Sequence, residues 1–118
     1  MAWTVEFYED VDGSVPVESF LDGLPKQQRA KALALVKVLE EQGTNLPFPY
    51  SSQVRGRLRE LRTRFGKTRL RILYFADTRR VFMLLHGLLK ATDKLPESDI
   101  HKAEERMAAH AQRLERRR

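Results

Sequence analysis

The stretch that decides the fold runs from Val54 to Arg80 and reads VRGRLRELRTRFGKTRLRILYFADTRR. It sets ten Lys and Arg side chains against two acids, Glu60 and Asp77. A cationic run is commonly a solvated tail, but these charges are threaded through Leu58, Leu61, Phe65, Leu70, Ile72, Leu73, Tyr74 and Phe75, a density of apolar residues that requires burial. Short turns at Gly66-Lys67 and Asp77-Thr78-Arg79 divide the run. They predict strands over about Arg57 to Phe65, Arg69 to Ala76 and Arg80 to Leu88. Turns this short force neighbouring strands antiparallel, so the three form a meander with the charges fixed on a sheet. A rigid cationic sheet is a surface for a polyanion.

Upstream, Trp3, Val5 and Phe7 alternate with Thr4, Glu6 and Tyr8, which predicts a first strand stopped by the acidic turn Glu9 to Gly13. Pro16 opens a short helix in which Val17, Phe20, Leu21 and Leu24 recur at helical spacing, and Pro25 ends it. A second helix is expected from about Lys26 to Gln42, with Leu33, Val36 and Leu39, or Leu35 and Val38, offered to a core, and with Gly43 as its stop. Thr44 to Gln53 contains Pro47 and Pro49 and no periodicity, and reads as an ordered loop. Downstream, Pro96 to Asp99 opens a helix whose apolar stripe is Ile100, Ala103, Met107, Ala111 and Leu114. The order β-α-α-β-β-β-α predicts an α+β domain, with helices packed on one face of a small antiparallel sheet and the other face free to work. One domain is expected over residues 1–118, with 109–118 a frayed basic tail.

The net charge of +6 is segregated: residues 1–53 carry four basic and eight acidic side chains, whereas 54–80 carry a net +8. Such a field has direction and steers an anionic partner, with nucleic acid the leading class, to one face. There are no cysteines, which excludes disulfides, thiolate zinc sites and cysteine nucleophiles. The start, MAWTVEFYED, lacks the basic-then-apolar order of a signal peptide, and the apolar run from Val81 to Leu89 is broken by His86, so a cytoplasmic protein without membrane association is expected. No metal is expected, since no HxxxH, carboxylate pair or Asp-rich loop occurs, and the isolated Gly56, Gly66 and Gly87 form no phosphate cradle, so no cofactor is implied.

Strand parity sorts the arginines. Glu60, Arg62 and Arg64 share one side of their strand, opposite Arg59, Leu61, Thr63 and Phe65, while Arg69 and Arg71 share a side with Leu73 and Phe75. Residues two apart lie roughly 7 Å from one another, so Arg62 and Arg64 can address adjacent phosphates. The same arginines can serve equally as solvated charges that keep the sheet soluble and its edge blunt. His86 closes the last strand before Lys90 and Lys94, and its titration range suits proton transfer, although a lone histidine more often packs or hydrogen-bonds. His101 and His110 have no partnering pattern and read as structural.

Three runs, Gly56-Arg57-Leu58-Arg59-Glu60-Leu61-Arg62, Arg69 to Phe75 and Leu84-Leu85-His86-Gly87-Leu88-Leu89-Lys90, are followed by Lys94-Leu95-Pro96 with Ile100, Ala103 and Arg106. Together they resemble the phage-derived branch of the HigB toxins, within the RelE/ParE superfamily of type II toxin-antitoxin systems. Pro16, Phe20, Leu21, Leu24 and Pro25 are similar to that branch's first helix, and Gly43 and Pro47 to the loop after its second, so the likeness spans nearly the whole chain. It implies a metal-independent, ribosome-dependent mRNA endoribonuclease that inhibits translation, with the mRNA, the ribosome and a cognate helix-turn-helix antitoxin as partners. By the same likeness Arg62 and Arg71 clamp the scissile phosphate, and Lys90 stabilises charge or protonates the leaving group. The chain departs from the branch at Ala91-Thr92-Asp93, where a second lysine is more usual, and Glu60 and His86 stand as the candidate bases. Arg55, Arg57, Arg59, Arg64, Arg69 and Lys94 are expected to attract RNA. Two other readings share the fold: a ParE-like, non-enzymatic inhibitor of DNA gyrase, and a decayed toxin that retains only antitoxin binding.

Overall fold

The computed structural model describes residues 3–117. The expected meander is present as β3 (Leu58–Phe65), β4 (Thr68–Ala76) and β5 (Val81–Lys90), each antiparallel to the next. Two more strands extend it, β1 (Thr4–Phe7) and β2 (Ser51–Arg55), giving a five-stranded sheet in the order β1-β5-β4-β3-β2. The α+β class and the predominantly antiparallel pairing hold, but β1 runs parallel to β5, with Thr4 beside Val81 and Phe7 beside Leu84. The alternation that marks β1 as a strand carries no information about its partner.

β2 occupies part of the segment read as loop. Its sequence, SSQVR, has no apolar alternation, and it lies at the sheet edge with a register shift between Gln53 and Arg55. Edge strands face water along one side and tolerate polar residues, so cross-strand hydrogen bonds alone define this one.

The helices are α1 (Pro16–Asp22), α2 (Lys26–Gln42) and α3 (Glu97–Arg116). In α2 the buried residues are Ala32, Leu35, Val36 and Leu39, a single face at steps of three and one, while Leu33 and Val38 are exposed. Neither expected set is buried as a whole. Gly43 ends the helix at φ +58° and donates its N–H to Leu39 O, and a Cβ there would lie 2.1 Å from the Trp3 indole nitrogen. Glycine is thus required at this stop for both backbone and space.

The expectation of helices on one face is corrected. α1 and α2 pack with Leu61, Leu70, Ile72, Tyr74, Phe82 and Leu84, whereas α3 packs through Ala103, Ile100 and Met107 on the opposite face, over Leu58, Leu73, Phe75, Met83, Leu85 and Leu88. The physical reason stands in the sequence: Ile72 to Phe75 and Val81 to Leu85 are unbroken apolar runs, the mark of strands buried on both sides. The free part of the sheet is therefore only what α3 leaves open. α3 itself is regular through Arg116, and Arg113 donates to Glu9 O at 2.6 Å and lies over the Tyr8 ring, so the segment from 109 is helix rather than a frayed tail. Arg118, the end of that expected tail, lies outside the described residues. His110 is buried on the stripe in place of Ala111, which is exposed. No helix among the described residues is long and apolar enough to cross a membrane.

Candidate nucleic-acid interface

The register of the meander brings three rows of side chains to the face that α3 shares: Glu60, Leu73 and His86; Arg62, Arg71 and Leu88; Arg64, Arg69 and Lys90. Arg62 and Arg71 are direct cross-strand partners. Two guanidiniums side by side repel, and a shared acid offsets this. Arg62 Nε lies 3.3 Å from Glu60 Oε1, and Arg71 Nε lies 3.8 Å from Glu60 Oε2. Glu60 also accepts from Ser52 Oγ on the edge strand at 3.2 Å. Arg71 is 2% exposed and Glu60 6%, and both Arg71 Nε and Glu60 Oε2 lack a hydrogen-bond partner. A buried acid and base facing each other just beyond bonding distance form a polar group with unused capacity.

The connection from β5 to α3 reaches over this group. Asp93 O accepts from Arg71 Nη2, and the Asp93 carboxylate lies 2.5 Å from Arg69 Nε and 3.8 Å from Arg62 Nη2. Arg69 also donates to Ala91 O. On the other side stands the loop before β2, held by Tyr50 N–H and Ser51 N–H donating to Pro47 O and by Arg62 N–H donating to Tyr50 O. Between them lies an open groove of about 430 Å³, with Arg62, Arg64, Arg69 and Asp93 on one wall and Pro49 and Tyr50 on the other.

The remaining predicted residues divide. Arg64, Lys90 and Lys94 are exposed, with Lys90 across from Arg69 at the end of β5. Arg55 instead pairs with Glu97 at 2.5 Å and Glu104 at 2.7 Å on α3, and the hydrogen bonds it donates to these acids raise its pKa and lower that of Glu104. Arg57 donates to Ala76 O and lies over the Phe75 ring. Arg59 turns to the α1/α2 face, where it donates to Ser51 Oγ, itself bonded to Tyr74 Oη. These three arginines hold the domain together and do not line the groove.

His86 is also set apart. Its Nε2 lies 2.6 Å from Asp99 Oδ1, and its Nδ1 lies 3.0 Å from Arg106 Nη1, which also donates to Leu85 O. A guanidinium only donates, so Nδ1 accepts and the ring proton sits on Nε2, aimed at Asp99. Both ring nitrogens are engaged with α3, and Leu73 separates the ring from Glu60 in the row, two strand spacings or roughly 10 Å away.

Sequence reasoning missed Ser52, Asp93, Phe48 and Tyr50. The two aromatics bracket Pro49 in the proline-containing segment shortly before the basic run, and aromatic rings in such a loop were the available signal.

The family model of the phage-derived Gp49-like proteins (DUF891) matches residues 19–108. The chain belongs to that family. Gp49-like proteins are a toxin-like family of toxin-antitoxin systems. The match runs from the middle of α1 through more than half of α3, and so includes every residue of the Gp49-like groove described above. No curated protein matches the chain. Among the described residues, no group of three His, Cys, Asp or Glu side chains is placed to hold a metal ion.

Proposed function

We propose that this Gp49-like protein is the toxin of a type II toxin-antitoxin pair and cleaves mRNA on translating ribosomes without a metal. The observation that carries the reading is the pairing of Arg62 with Arg71 across one buried acid, Glu60, directly beneath a groove that Arg62 lines and that is open to solvent. RNA cleavage of this type forms a bond from the 2′-oxygen to phosphorus and breaks the bond from phosphorus to the 5′-oxygen. The added negative charge of the phosphorane falls to Arg62 and Arg71, fixed donors in a partly dry site. Glu60, set between the two arginines, accepts the 2′-hydroxyl proton once RNA displaces Asp93 from over the pair, and Lys90 supplies a proton to the departing 5′-oxygen. His86 takes no part in this scheme, because both its nitrogens serve the docking of α3. The ribosome supplies the codon in extended form, which places the action in the cytoplasm, and a helix-turn-helix antitoxin holds the toxin inactive.

Primer extension of a translated message in a purified system tests this. Cuts within the reading frame are expected only with ribosomes present, and Arg62→Ala is expected to reduce them about 100-fold. Intact messages in arrested cells would overturn the nuclease reading. Trapped gyrase-DNA complexes in the same cells would assign the ParE-like alternative instead.

A further inference from the structure

Phe48 is 72% exposed and Tyr50 52% exposed, the two most exposed aromatic side chains among the described residues. Neither belongs to either hydrophobic cluster. Their loop is nevertheless well anchored: two N–H groups cap Pro47 O, and Arg62 N–H ties Tyr50 O to β3. The Arg62 guanidinium lies 5.7 Å from the Phe48 ring centroid, and Tyr50 lines the same groove as Arg62, Arg64 and Arg69. Flat apolar faces presented by a fixed loop beside fixed guanidiniums match the two chemical halves of a single-stranded nucleotide, base and phosphate. A protein partner would match the rings equally well, but only an anion matches the cations directly beside them.

We infer that Phe48 and Tyr50 form a stacking subsite for an unpaired RNA base, next to the arginines that hold its phosphate. This rests on the RNA reading of the groove and deepens it, because arginines alone grip any phosphate backbone whereas the rings require an unstacked base. The subsite therefore selects single strands over duplexes, and purines, with their larger faces, over pyrimidines.

Binding of a non-cleavable 2′-O-methyl single-stranded RNA, followed by fluorescence anisotropy, tests the inference against two controls, inorganic polyphosphate and an RNA duplex. Phe48→Ala and Tyr50→Ala are each expected to weaken single-strand binding by about 5- to 100-fold while leaving polyphosphate and duplex binding unchanged. Phe48→Trp is expected to retain it. Arg62→Ala is expected to weaken all three ligands. Both rings are exposed, so thermal melting of the alanine variants should match the parent. Alanine variants that bind single strands as the parent does overturn the subsite, and if they lose a co-expressed antitoxin instead, the rings belong to a protein interface. Ribosome-dependent cleavage unaffected by both alanine changes overturns the subsite and preserves the nuclease. Base-dependent binding by a protein that cuts no message has the opposite meaning: it preserves the subsite and removes the nuclease.

Discussion

Arg71 serves the fold and, through Asp93, the wall of the groove. It is 2% exposed, so Arg71→Ala leaves Glu60 Oε2 buried without a facing charge and removes the donor to Asp93 O, at a cost of about 3 kcal/mol. Loss of toxicity in that variant would conflate unfolding with lost chemistry. Arg62, with its side chain 27% exposed, separates the two. Urea denaturation should show a larger drop in midpoint for Arg71→Ala than for Arg62→Ala, although on the nuclease reading both lower cleavage. Asp93 gives the reverse expectation. Its carboxylate sits where a phosphate oxygen would approach Arg69 and Arg62, so it competes with the ligand. Asp93→Ala should tighten RNA binding several-fold at low salt, measured by the same anisotropy titration, and equal affinity would show that the loop yields without cost.

α3 is fastened to the sheet by polar contacts at both ends of its stripe, His86 to Asp99 and His110 to Asp77 at 2.9 Å. Burial pushes the Asp77 carboxyl up, but hydrogen bonds from Arg79, His110 and the Val81 and Arg79 N–H groups outweigh it and hold it below the ordinary carboxylate value. A depressed pKa means that the stabilisation is complete above the unfolded value near 4 and is lost as pH falls through the folded one. Asp77→Asn should therefore cost about 1–3 kcal/mol at pH 7, and the gap to the parent should narrow below about pH 4 in parallel urea titrations. Gly87 matters for a different reason: a Cβ there would come 2.2 Å from Phe20 Cδ2, so Gly87→Ala should push α1 off β5 and lower the melting temperature by several degrees. What was legible at this scale follows from apolar content. The three meander strands and the limits of α2 announce themselves through apolar runs, glycine and turn residues. β2, a polar edge strand, has no such signal. The second face of β4 and β5 was encoded in unbroken apolar runs, and alternation was enough to put Glu60, Arg62 and Arg64 together. Opposing Arg62 to Arg71, however, needed the register, and the reach of Asp93 over both needed three dimensions.

Taken whole, the molecule spends its basic block on three tasks. Arg79 binds Asp77 and Glu6, and Arg80 covers Trp3; Arg55, Arg57 and Arg59 tie elements together; Arg62, Arg64 and Arg69 line the groove. Binding of single-stranded RNA through about four phosphates should then show a slope of log K against log salt near −3. Arg64→Ala should make that slope shallower by almost one, whereas Arg59→Ala should leave it unchanged. The parallel pairing of β1 with β5 has a consequence in time. The first strand made is completed by the last, so a growing chain holds β1 without a neighbour and β4 with a bare inner edge until Val81 to Lys90 has emerged. Pairing across such a sequence distance is slow and leaves strand edges open to self-association. A fragment ending at Asp77 should consequently be protease-sensitive and harmless to cells, and the full chain should acquire its activity late, in one step, after nearly all of it has been synthesised.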